Sequence, residues 1–155
     1  MKILITGASG QLAKAFIKHF ELNSGDFLSP SEQDLDITDK SKIRKIFNIY
    51  KPDAVINCAA YTNVEKAEQD PSAAYLINKT AVSYLLEESS KINAKFVHFG
   101  TDYIFDGKKN DLYTENDIPN PLNEYGKTKL AGEKEVLSYK NGLVCRLSWV
   151  IGNGQ

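Results

Sequence analysis

The chain opens on a short apolar, β-branched run, Lys2-Ile-Leu-Ile-Thr6, of the kind that forms a strand buried on both faces. Gly7 to Gly10 reads as a tight turn. Leu12, Phe16, Ile17 and Phe20 then recur at helical spacing over Gln11 to Phe20. The same alternation continues. Asp26-Phe-Leu-Ser29 is a weak second strand. A second helix has Ile43, Ile46, Phe47 and Tyr50 on its core face; the pattern predicts Thr38 as its cap, Asp39 in its first turn and Pro52 as its stop. Asp53-Ala-Val-Ile-Asn57 is a third strand. Ser72 to Ser90 predicts one long helix, with Ala73, Ile77, Ala81 and Leu85 along a stripe and Ala74, Val82 and Leu86 beside it. Lys95-Phe-Val-His-Phe99 is a fourth strand, 100–123 a loop, Glu124 to Tyr139 a helix and Gly142 to Leu147 a fifth strand.

Strands alternating with helices at this spacing predict an α/β fold, a doubly wound parallel sheet of Rossmann type with five strands visible and both faces covered. Such a fold usually has a sixth strand. The expectation is therefore a dinucleotide-binding domain over 1–155, with a C-terminal substrate domain outside this sequence.

Composition adds little that is specific. A 155-residue chain with 42% hydrophobic and 25% charged residues is ordinary for one globular unit. The net charge of -1 gives no electrostatic reason to expect nucleic acid or an anionic membrane as partner. Cys58 and Cys145 each lie in an apolar run without metal-ligand spacing, which predicts two buried thiols in a reducing compartment. No run approaches the ~20 apolar residues that span a bilayer, and the chain begins on a strand with no signal-peptide pattern. The expected location is cytoplasmic.

Two motifs carry chemistry. Thr6-Gly7-Ala-Ser-Gly10-Gln-Leu-Ala13 sits between the first strand and the first helix, the context in which a glycine turn acquires meaning. Gly7 permits the sharp exit, Gly10 lets backbone approach a pyrophosphate, and Ala13 is small enough for helix to pack on strand. The helix N-terminus then offers amides and a positive dipole end. Farther on, Tyr125 and Lys129 form a Y-x-x-x-K pair on one helical face. An ammonium beside a phenol stabilises phenolate and is expected to lower the tyrosine pKa, making a better acid near neutral pH. Lys127 projects elsewhere. Thr101 and Asp102 leave the fourth strand at the sheet edge where ligands bind in open α/β folds; they could hold a carbonyl or merely cap a turn.

The G-x-x-G-x-x-A turn is similar to that of the extended short-chain dehydrogenase/reductase superfamily. Gly100-Thr-Asp-Tyr-Ile-Phe-Asp-Gly107, Pro121-Leu-Asn-Glu-Tyr-Gly-Lys-Thr-Lys-Leu-Ala-Gly-Glu133, Arg146-Leu-Ser-Trp149, Asp34-Leu-Asp-Ile-Thr-Asp39 and the run from Asn57 to Glu68 resemble the dTDP-4-dehydrorhamnose reductases, in order and along the whole chain. The resemblance implies reduction of the 4-keto group of a nucleotide-linked deoxysugar, in cell-surface polysaccharide precursor synthesis, with NADPH or NADH as cofactor. It implies Thr101, Tyr125 and Lys129 as the catalytic set. It puts Gly7, Gly10, Gln11 and Leu12 at the pyrophosphate, Asp36 and Ile37 at the adenine, and Ala59, Ala60, Tyr61 and Thr62 along the cofactor. Asp102 and Trp149 would face the sugar. Asn78 would steady the lysine through water, or else make an ordinary interhelical hydrogen bond. A homodimer of the longer protein is a further expectation.

Two departures qualify these implications. Leu28-Ser-Pro-Ser31, at the end of the second strand, offers no acid for a ribose 2′-hydroxyl and no arginine for a 2′-phosphate, which leaves NADH and NADPH both open. Ala15 stands where some relatives carry a magnesium-binding carboxylate, so no metal is expected, and the acids between Glu65 and Asp70 read as a solvated face. Two sister readings stay open: a nucleotide-sugar epimerase, and a non-catalytic cofactor-binding subunit like that of methionine adenosyltransferase. An Asp-Glu pair, the mark of a dehydratase, is absent, since Tyr103 follows Asp102.

Overall fold

The computed structural model describes residues 1–151. Five parallel strands, β1 (Ile3–Thr6), β2 (Phe27–Leu28), β3 (Ala54–Asn57), β4 (Lys95–Thr101) and β5 (Gly142–Leu147), lie in the order β2-β1-β3-β4-β5. All four pairings are parallel, as the doubly wound reading expects.

The period of two along the strands sorts the core into two layers. Leu4, Val55 and Phe96 are paired in register and point to one face, where they meet Ile43 and Phe47 of α2 (Lys40–Tyr50), Val82 and Leu85 of α5 (Ala81–Lys91) and Val136 of α6 (Glu124–Leu137). Ile3, Ile5 and Ile56 point to the other, where they meet Ala13, Phe16, Ile17 and Phe20 of α1 (Gln11–Leu22). β1 thus has neighbours on both sides that are reached by crossovers over opposite faces. The point where the winding reverses lies between β1 and β3, and a crevice opens at their carboxyl ends.

Several elements depart from the sequence expectation. Asp39, not Thr38, caps α2: its Oδ1 accepts from the amides of Ser41 and Lys42 at 2.8 and 3.2 Å. Thr38 is instead bound to Asp36, whose Oδ1 accepts from its amide and hydroxyl, both at 2.8 Å. The acidic stretch after β3 contains a helix, α3 (Val64–Gln69), capped by Asn63. The long helix expected over 72–90 is in three pieces: α4 (Pro71–Tyr75), a π-helical turn (Leu76–Thr80) and α5. Beyond β4, Asp102–Ile104 forms a single 3₁₀ turn. Both cysteines are free, but half-buried rather than buried.

Candidate active site

The crevice at the β1/β3 switch point is a cleft of about 490 Å³, walled by the glycine turn, the segment 35–38, residues 58–60 and the start of α6. That volume suits one small-molecule ligand.

The glycine turn is built for close approach. Gly7 has φ +70°, and a Cβ there would stand 2.7 Å from the Ala59 amide nitrogen. Only glycine takes that backbone conformation at no steric cost and leaves room for the chain leaving β3. Gly10 donates its amide to the Gly7 carbonyl at 2.9 Å and becomes the N-cap of α1. Side chains of Asp39, Asn63, Asp70 and Asn123 cap α2, α3, α4 and α6, whereas the N-cap of α1 has none to offer and no acid occupies its first turn. This end of α1 thus keeps its dipole and amide row directed into the cleft, as an anion site requires. Ala13 is fully buried against the sheet, the packing role its size predicts.

The opposite wall carries the titratable groups. Thr101, Tyr125 and Lys129 all line the cleft. Tyr125 and Lys129 share one face of α6, and the Tyr125 phenol is close enough to the Thr101 side chain for Thr101 to lower its pKa. Lys129 is 3% exposed, and its Nζ donates to the Phe99 carbonyl at 2.6 Å. Burial depresses the ammonium to about 8 while the Glu133 charge opposes the fall. Burial raises the Tyr125 pKa, the Thr101 side chain opposes this, and the nearby Asp102 charge adds to the rise. The expected lowering by Lys129 is therefore not found: desolvation of the phenol is the largest effect on it. Tyr125 is held as the protonated acid, edge-on to Tyr103 at 5.5 Å. Lys127 is exposed and paired with Glu124 at 2.6 Å, away from this wall.

A buried polar chain crosses the sheet beneath the cleft. The Thr6 hydroxyl donates to Asn57 Oδ1 at 2.6 Å, and Asn57 Nδ2 lies 3.1 Å from His98 Nδ1. With its carbonyl engaged by Thr6, the Asn57 amide must donate to His98, so Nδ1 accepts and the imidazole proton sits on Nε2. That nitrogen is buried without a hydrogen-bond partner among the described residues. Burial, aided by the Lys129 charge, pushes the His98 pKa down to about 3.

Asn78, in the π turn, makes three direct bonds: Oδ1 accepts from the Tyr61 amide at 2.8 Å, and Nδ2 donates to the Tyr61 carbonyl at 3.0 Å and to Thr128 Oγ1 at 3.1 Å. It clamps the segment after β3 onto α6, one residue before Lys129. Of its two expected roles, the interhelical bond is the one found.

Among the residues singled out in the sequence, Gly7, Gly10, Gln11, Leu12, Asp36, Ile37, Ala59, Ala60, Thr62, Thr101, Tyr125 and Lys129 line this one cleft. Tyr61 is positioned through its backbone instead. Asp102 accepts from the Thr101 hydroxyl at 3.2 Å and faces a neighbouring hollow with Arg146 and Ser148. Trp149 is 82% exposed and stands apart from both. The sequence reading missed Glu32, which lines the cleft beside Pro30 and Asp36. It lies in the irregular stretch after β2, whose path is not readable from pattern. It also missed Cys58 in the lining, a thiol that burial pushes up to about 12.

A glycine turn thus faces a Thr-Tyr-Lys wall across one crevice. The RmlD substrate binding domain family matches residues 1–155. The chain belongs to that family. It is 40% identical over 153 residues to the dTDP-4-dehydrorhamnose reductase of Aggregatibacter actinomycetemcomitans, covering 97% of this chain and 52% of that protein. The crystal structure of a dTDP-4-dehydrorhamnose reductase from Clostridium acetobutylicum superposes with a TM-score of 0.94 at 41% identity, over 100% of this chain and 56% of the other. A dTDP-4-dehydrorhamnose reductase from Bacillus anthracis, solved in complex with NADP, superposes with a TM-score of 0.91 at 35% identity, over 96% of this chain and 53% of the other. The chain thus spans about half the length of the relatives it matches.

Proposed function

We propose that this RmlD-family chain is the cofactor-binding part of an NAD(P)H-dependent oxidoreductase that reduces the 4-keto group of a nucleotide-activated deoxysugar, converting dTDP-4-dehydrorhamnose to dTDP-rhamnose. The observation that carries this reading is the meeting of Thr101, Tyr125 and Lys129 on one wall of the cleft whose other wall is the uncapped glycine turn.

The cleft's residues fit a dinucleotide. The α1 N-terminus and Gly10 would take the pyrophosphate, Asp36 and Ile37 the adenine end, and Ala59, Ala60 and Thr62 the middle. Lys129 would bond the ribose next to the nicotinamide. When bound, the reduced cofactor supplies the hydride. The protein's own work is proton transfer and orientation. Tyr125, kept protonated by its burial, gives its phenolic proton to the oxygen of the carbonyl as that oxygen gains negative charge. Thr101 donates to the same oxygen and fixes its place relative to the phenol. The Lys129 ammonium, beside the phenolate that remains, limits the cost of that charge.

The sugar and its nucleotide would be recognised mainly by residues outside this span, with Asp102 and Trp149 contributing from it. No helix among the described residues is long and apolar enough to cross a membrane. A cytoplasmic location, a homodimeric assembly and the lack of nucleic-acid or membrane partners belong to the same proposal.

Calorimetric titration with NADH and NADPH tests the cofactor part, with Gly10→Asp as control: binding is expected for the unaltered protein and lost in the variant, which sets a carboxylate where the pyrophosphate would lie. Tyr125→Phe in the full-length protein tests the chemistry. A fall in turnover of about 10²- to 10⁴-fold with dinucleotide affinity retained is expected; unchanged turnover would remove Tyr125 from the reaction.

A further inference from the structure

Tyr125, Lys129 and Glu133 follow one another at four-residue intervals along α6, so Glu133 is the next group inward on the same stripe. It is 1% exposed. Both of its carboxylate oxygens accept from Arg146: Nε lies 3.1 Å from each, and Nη2 lies 2.5 Å from Oε1. Arg146 stands on β5 in register with Gly100 of β4. A Cβ on Gly100 would come within 2.9 Å of Glu133 Oε2 and 3.2 Å of Arg146 Cγ. Glycine at that position is what lets the ion pair lie across β4. The crossing point falls between Phe99, whose carbonyl holds Lys129, and Thr101. On its far side the guanidinium lies 5.5 Å from the centre of the Phe105 ring.

A buried ion pair is seldom the cheapest way to stabilise a fold, because removing two charges from water offsets most of their attraction. Its position therefore calls for another account. Lys129 is itself an ammonium buried in a wall that offers little else to balance it. Across from it β4 presents neutral His98 and the Phe99 carbonyl, the segment after β3 begins with the protonated Cys58 thiol, and α6 contributes the protonated Tyr125; the cation of Arg146 lies beyond Glu133. Among the described residues Glu133 is the anion that acts on Lys129, and it acts to keep the proton on.

We propose that Glu133, braced by Arg146, is a positioning residue for the Tyr125–Lys129 pair: it supplies the buried counter-charge to Lys129 and ties α6 to the strand end that carries Thr101. Arg146 keeps the carboxylate in place by occupying both of its oxygens, leaving the Lys129 Nζ on the Phe99 carbonyl. The role assigned to Lys129 rests on the oxidoreductase reading above.

The test follows the Lys129 ammonium itself. In protein carrying ¹³C at lysine Cε, its resonance is assigned by comparison with Lys129→Met and titrated against pH. In Glu133→Gln the midpoint should fall by about one pH unit or more, since a nearby anion is lost and the partly buried guanidinium remains. In Arg146→Met the midpoint should rise, since the cation is lost and the anion stays. A purely structural pair would lower the melting temperature of both variants and leave the midpoints alone or move them in the same direction; either result overturns the proposal. Should Glu133→Gln not fold, Arg146→Met reads the same charge from the other side, and a midpoint that stays or falls there is equally fatal. Adding NADH or NADPH to the labelled protein separates the two ideas: a Lys129 signal that ignores both dinucleotides sinks the cofactor reading, whereas opposite midpoint shifts in the two variants still establish Glu133 as the counter-charge.

Discussion

At the scale of single residues, the cleft is chemically lopsided. The end beside α6 holds the cation Lys129, and the end near β2 holds two carboxylates, Glu32 and Asp36, with no lysine or arginine in the described lining there. Asp36 is tied to Thr38 through Oδ1, so Glu32 is the acid freer to turn toward a ribose 2′-hydroxyl. A 2′-phosphate would meet repulsion at the same place. Glu32→Arg should therefore raise affinity for NADPH over NADH by about tenfold, equivalent to ~1.4 kcal/mol. Titration of both dinucleotides into wild type and variant measures it, and an unchanged ratio would show that Glu32 points away from the ligand. The motif residues, Gly7, Gly10, Thr101, Tyr125 and Lys129, were legible because each depends on a local constraint: a positive φ, a helix start, an i to i+4 spacing. Glu32 and Glu133 were not, since one depends on the path of an irregular stretch and the other on which residue of β5 lies opposite Gly100.

At the scale of elements, the division of the 71–91 helix matters most. Apolar periodicity located the helix but not its interruption, because both the straight and the widened form bury Ala74, Ala81, Val82 and Leu85. Contact with α6 decides between them. A Cβ on Gly132 would stand 2.0 Å from the Asn78 carbonyl oxygen, so the π turn and α6 touch backbone to backbone. Widened turns of this kind often mark functional sites, and here the turn carries the side chain that clamps Tyr61 and Thr128. Gly132→Ala should force the two apart. A loss of about 1–3 kcal/mol in urea unfolding is expected from overpacking alone, with faster amide exchange at Tyr61 as the Asn78 clamp loosens. A variant as stable as wild type would mean that the helices slide freely past each other. The strands were easier to locate, since apolar runs bounded by turn residues have few alternatives. β1 and β3 each begin one residue later than expected, and β2 shrinks to Phe27–Leu28, where only two residues pair with β1.

At the scale of the whole molecule, burying two bases beneath one cleft makes stability depend on pH in separate windows. His98 takes a proton near 6.5 when unfolded and only near 3 when folded. Between those values the unfolded chain binds the extra proton, so stability rises with pH and is lost as pH falls from 6.5 toward 3. Lys129 behaves alike between about 8 and 10.5, and contributes no slope below 8, where it is charged in both states. The carboxylates of Asp39, Asp70, Asp106 and Asp117 are held below their usual range, so their stabilisation is lost only in stronger acid, at and below about pH 4. The interval from about 4.5 to 6.5 thus belongs to His98. Unfolding free energy there should fall by up to about 1.4 kcal/mol per pH unit of acidification, the slope of one proton. His98→Gln keeps an acceptor for Asn57 while removing the titration, so its stability should be flat over the same interval, even if lower at pH 7. Equal slopes in the two proteins, by urea unfolding at half-unit steps, would mean that the folded molecule admits the proton after all. The orphaned Nε2 would then have to be solvated, and the polar chain from Thr6 through Asn57 to His98 would open to water at its far end.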